Sequence, residues 1–84
     1  MEFGVMVWGR STEYFVLPSS YMERVKELHE EYLSCIGGRD KKRAYEISEE
    51  VYKLCREVGK SVDCKTISGT RELFTFYLKG RGSV

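Results

Sequence analysis

Arg39-Asp40-Lys41-Lys42-Arg43 sets a tight group of cations around a single carboxylate where a helix is about to begin. The first turn of a helix exposes free N–H groups equivalent to about half a positive charge and favours acidic neighbours, each by about 0.3–1 kcal/mol. Lys41, Lys42 and Arg43 carry the wrong sign for that position. Cations crowded around a helix start suit an anion, and a local design rule broken in a loop points to function. Phosphate or nucleic acid is the ligand chemistry this pattern implies. The competing reading is a solvated basic loop in which Lys42 pairs with Glu46 one turn on.

Other chemistry has less to stand on. His29, Cys35, Cys55 and Cys64 contain no CxxC pair, so the close ligand spacing of structural zinc sites is missing and no metal is expected. No Ser or Cys has a base at a recognisable spacing, and His29 lies beside Glu30 at the edge of a helical stripe. The expectation is a non-enzymatic binding protein with no cofactor. An antiparallel helix pair would hold Cys35 and Cys55 about 20 Å apart at 1.5 Å per residue, beyond disulfide reach. Free thiols are expected, with Cys55–Cys64 as the one conceivable bridge.

The elements that must position these residues read as two strands, two helices, two strands. EFGVMVW (2–8) and EYFVL (13–17) flank a turn at Gly9-Arg10-Ser11-Thr12, and Pro18 ends the second. Ser20 and Glu23 form a capping box before a helix with the stripe Tyr21, Val25, Leu28, Tyr32 and Ile36, which stops at Gly37-Gly38. Asp40 can cap a second helix with the stripe Ala44, Ile47, Val51, Leu54, Cys55 and Val58, ending at Gly59. Residues 61–67 and 71–79 then read as a second hairpin around Ser68-Gly69-Thr70.

Charges belong on edge strands, where they discourage further pairing. Strands one and four have none in their centres, whereas Glu13 opens strand two and Asp63 and Lys65 lie in strand three. The expected architecture is a two-layer α+β domain spanning 1–84. Its four-stranded antiparallel sheet has order 2-1-4-3, with 1-2-3-4 as the alternative, and one face is covered by the antiparallel helix pair. In that topology both hairpin turns and the helix–helix loop share one pole, which collects Arg10, Arg39, Lys41, Lys42, Arg43 and Arg71. The open sheet face would present Met6, Trp8, Tyr14, Val16, Leu73 and Tyr77, an apolar patch suited to a homodimer interface. An aromatic platform for stacked bases is the more specialised alternative for the same face.

Composition frames these expectations. The 84 residues include no Asn or Gln, while 32% are charged, a pattern of hyperthermophile proteins. A net charge of +1 means that any nucleic-acid role must come from charge placement, not from overall basicity. No apolar run approaches the roughly 20 residues that span a bilayer, and Glu2 stands where a basic leader would begin. A cytoplasmic protein with no membrane partner is expected. Lys79-Gly80-Arg81-Gly82-Ser83-Val84 reads as a flexible basic tail.

Overall fold

The computed structural model describes residues 1–9 and 11–78; Arg10 and the expected tail, 79–84, lie outside the described residues. The chain forms β1 (Glu2–Trp8), β2 (Thr12–Pro18), a 3-10 turn (Ser19–Tyr21), α1 (Met22–Gly37), α2 (Lys41–Val58), β3 (Lys60–Ser61), α3 (Cys64–Ser68) and β4 (Leu73–Tyr77). It is an α+β fold. The sheet has order β3-β2-β1-β4 and is mixed.

β1 and β2 pair antiparallel from Glu2↔Pro18 to Trp8↔Thr12, as the two alternating apolar runs dictate. Phe3, Val5 and Val7 of β1 meet Phe15 and Leu17 of β2 on the face under α1 and α2. From the helices come Val25, Leu28 and Tyr32 of α1, and Ala44, Ile47, Val51 and Cys55 of α2. Phe74, Phe76 and Leu78 close the core, and Phe3 and Phe76 are fully buried. Side chains of that kind contribute about 1.5–3 kcal/mol each relative to exposure.

The second half of the sheet departs from the expected hairpin. Of the 61–67 run only Ser61 acts as strand; with the preceding Lys60 it pairs antiparallel with Phe15 and Val16. Asp63 then overrides the apolar pattern. Its carboxylate accepts from the Thr66 backbone N–H at 2.9 Å and from the Thr66 hydroxyl at 3.0 Å, capping α3. Those two bonds hold the Asp63 carboxyl below the usual carboxylate range. The short helix passes over the sheet face opposite α1 and α2 and delivers the chain to the far edge. β4 therefore runs parallel to β1, from Gly4↔Leu73 to Trp8↔Tyr77. The expected antiparallel 2-1-4-3 order is corrected accordingly: 2-1-4 adjacency holds, strand three moves beside strand two, and β4 becomes an edge.

Gly4 is the residue that admits α3. A Cβ at this position would stand 2.9 Å from both Ile67 Cδ1 and Thr70 Oγ1, closer than van der Waals contact allows. Ile67 is buried there, while Cys64 and Lys65, which the strand reading placed in the sheet, are exposed.

The expected capping box is also replaced. Pro18 leads into the 3-10 turn, and neither that turn nor α1 has a side-chain cap bond. At the other end of α1 the turn is completed by Arg39, whose φ is 64°, with Asp40 N–H donating to Cys35 O at 2.8 Å. Asp40 caps α2 as the sequence implies, its Oδ1 accepting from Arg43 N at 3.2 Å. Cys35, Cys55 and Cys64 are all free thiols.

Candidate functional site

The strand directions decide which cations share a pole. β1 rises from Glu2 to Trp8, α1 returns from the opposite end, and its loop at 38–40 therefore lies near the Trp8 end of the sheet. β4 is parallel to β1, so Tyr77 arrives at this pole while Arg71, preceding Leu73, stays at the other. This corrects the expected cluster. Arg71 Nη1 instead donates to Met1 Sδ at 3.4 Å, and Arg10 lies outside the described residues.

Arg43 also leaves the candidate set. It lies at the junction of the two helices, with Nε 2.7 Å from Glu31 Oε2 of α1 and Nη1 3.6 Å from Glu46 Oε1. The bond to Arg43 lowers the Glu31 carboxyl from its ordinary value, and the same bond raises the guanidinium. Arg43 is a structural clamp between α1 and α2, alongside Arg24 and Glu50 at 2.6 Å.

Arg39, Lys41 and Lys42 remain. None has an ion pair among the described residues. The nearby carboxylates are already engaged: Asp40 on the helix start, Glu31 and Glu46 on Arg43. α2 thus opens with no acidic residue in its first turn and with two unpaired lysines beside its N–H groups. Backbone strain marks the third cation. A side chain in the left-handed region costs about 1–2 kcal/mol, and Gly or Asn is the usual occupant at a helix end. Here an arginine holds that position directly after two glycines.

Beside these cations the end of β4 and the two helices enclose a cleft of about 290 Å³. Arg39 and Lys41 stand at its rim, with Ile36, Ala44, Tyr45 and Tyr77 also lining it. The stripe of α1 explains Ile36: it continues the helix's apolar face one turn beyond the core and is 52% exposed. Tyr32, buried beneath, accepts the Tyr77 N–H on its hydroxyl at 2.7 Å, and Ser48 donates to the Tyr77 carbonyl at 3.0 Å. These two bonds fasten the end of β4 to both helices. They also explain how a strand without charges can occupy an edge: at Tyr77, side chains stand in for a neighbouring strand. Sequence reading missed the cleft, because Ile36, Tyr45 and Tyr77 lie on three elements and meet only through the parallel course of β4.

The outer sheet face is partly taken up. Val16 is only 5% exposed, because α3 lies over it and Gly4, and Met6 and Tyr14 are half-buried. Trp8, Leu73 and Tyr77 remain 44%, 48% and 50% exposed. Of the expected interface residues, Val16 is therefore removed and the open remainder shifts toward β4.

Among the described residues no group of three or more His, Cys, Asp and Glu side chains could hold a metal ion. No helix among them is long and apolar enough to cross a membrane. No family model, curated protein or solved structure matches the chain.

Proposed function

We propose that this is a small, non-enzymatic binding protein that contacts an anionic ligand, phosphate-bearing or nucleic acid, through the pole formed by Arg39, Lys41 and Lys42. The observation that carries this reading is the start of α2: two lysines without ion pairs crowd a positive helix end, next to an arginine held in a left-handed backbone. Each feature costs stability, and an anion would offset all three together.

Binding to DNA, RNA or polyphosphate should fall with salt, by a log–log slope of about −0.9 per contacted phosphate on duplex DNA and −0.7 on a single strand. The Lys41→Glu, Lys42→Glu double variant should melt no lower than the parent, since each change suits the helix dipole, yet lose that binding. A parent with no salt-sensitive binding at low ionic strength would refute the reading.

A second reading is favoured by the exposed Trp8, Leu73 and Tyr77, which sit on adjacent strands at the sheet's outer side. It is a homodimer formed through that face, with no nucleic-acid role. Light scattering on a sizing column distinguishes it, since a mass of one chain well above micromolar concentration leaves no such dimer.

A further inference from the structure

We propose that the cleft beside Tyr45 is a nucleoside-phosphate site, with the base in the cleft and its phosphate on Arg39 and Lys41. This rests on the anion-binding reading above and goes beyond it, because it names what accompanies the phosphate. A pole serving a phosphate backbone alone needs only cations in water. This one places its cations on the rim of an apolar cleft.

Size, lining and charge narrow the occupant. At about 290 Å³ the cleft sits at the lower limit of small-molecule sites, about 300–1,000 Å³, and so suits one ring system rather than an extended chain. Tyr45 of α2 brings an aromatic side chain to the cleft, and the backbone of Tyr77, bonded to Tyr32 and Ser48, closes its β4 side. The Tyr45 hydroxyl is held 3.3 Å from Glu49 Oε1, and burial followed by this carboxylate raises its phenol. The ring is thereby anchored at its tip, which leaves its face as the interacting surface. Ala44 is small where a larger residue would fill the space. Aromatic faces accept any base and are sequence-tolerant, while Arg39 and Lys41 supply the charge that a phosphate one bond beyond the ribose requires.

The cleft also sets which form of nucleic acid fits. In a duplex the bases are stacked and paired, so a base can enter only from a single strand, a strand end or a free nucleotide. The preference is therefore for unpaired nucleotides over duplex.

The test uses the full chain at low salt and four probes: a nucleoside monophosphate, an oligonucleotide, the same sequence as duplex, and an abasic strand of equal length. Expected is tighter binding of the oligonucleotide than of the duplex or the abasic strand. Tyr45→Ala should weaken oligonucleotide binding by about 5- to 150-fold, the range of base–aromatic stacking. It should leave the abasic strand unaltered, and Tyr45→Phe should restore binding. Near-ultraviolet circular dichroism verifies that each variant is folded. If the monophosphate binds alone and competes, the free nucleotide is the source. If only the oligonucleotide binds, the source is a strand. Both results support the site. Equal binding of all three polymers, unaffected by the Tyr45 changes, overturns the base site while leaving phosphate contact intact. No binding to any probe overturns the anion reading itself.

Discussion

Replacing Arg39 by glycine separates the fold's interest from the ligand's. Arg39 sits at φ 64°, where a Cβ costs about 1–2 kcal/mol. Glycine removes that cost but loosens the unfolded chain, which takes back about 0.4–1 kcal/mol. The hydrogen bonds of the turn, Arg39 N–H to Ile36 O at 3.2 Å and Asp40 N–H to Cys35 O at 2.8 Å, are made by backbone and survive the change. The balance is a gain of about 0.5–1 kcal/mol. For a domain of this size 1 kcal/mol corresponds to about 4–8 °C, so Arg39→Gly should melt about 2–8 °C higher. Arg39→Ala keeps the Cβ and loses only the guanidinium, so its melting point should stay near that of the parent. Calorimetry gives the stabilities, and titration with the oligonucleotide gives the affinities. Both variants should bind equally poorly. A glycine variant that melts no higher than the parent would refute the strain reasoning, because the arginine side chain would then be supporting the fold. Unchanged affinity in both would remove Arg39 from the site.

Three further outcomes follow from the packing. Arg43→Glu should lower the melting temperature, unlike reversal of Lys41 and Lys42, because it sets a third carboxylate against Glu31 and Glu46; a variant as stable as the parent removes Arg43 as the clamp. Gly4→Val should destabilise by about 1–3 kcal/mol, the usual cost of overpacking, and denaturant titration would expose a neutral result, meaning that α3 does not lie over β1. His29 packs edge-on against Phe74 and Phe76 at 5.2 and 5.3 Å, and burial lowers its pKa against the opposing pull of Glu30. Its contribution is complete above the unfolded value of about 6.5 and is lost as pH falls through the depressed folded value. His29→Phe should remove that part of the acid sensitivity, and parallel melting curves between pH 7 and 4 for the two proteins would contradict it.

The first fifty-odd residues declare their structure because local and global signals agree. The alternation of β1 and β2, the three–four spacing of Val25, Leu28 and Tyr32, and the Asp40 cap each specify one element, and only the start of α1 departs, where a 3-10 turn replaces the Ser20 cap. Agreement fails after Ser61. An apolar run suggests strand, but the Asp63 carboxylate offers the backbone a helical start that wins locally. Every later error descends from that turn: β4 reverses direction, Arg71 changes pole, and Tyr77 joins a cleft that no spacing along the chain could announce. The role of Arg39 was hidden for a different reason. Two adjacent glycines advertise the left-handed turn, yet the turn falls one residue beyond them.

The parallel pairing of β4 with β1 has a consequence for how the chain acquires its shape. The β1–β2 hairpin can close as soon as Pro18 is made, but Gly4 must wait for Leu73 and Trp8 for Tyr77. Throughout synthesis one side of β1 is an unsatisfied edge carrying Val5 and Val7, open to any passing strand. So long-range a closure is slow to find, since loop entropy is lost before the contacts form. A ribosome stalled before residue 73 would therefore hold a chain whose β1 edge is still open, rather than a smaller version of the domain.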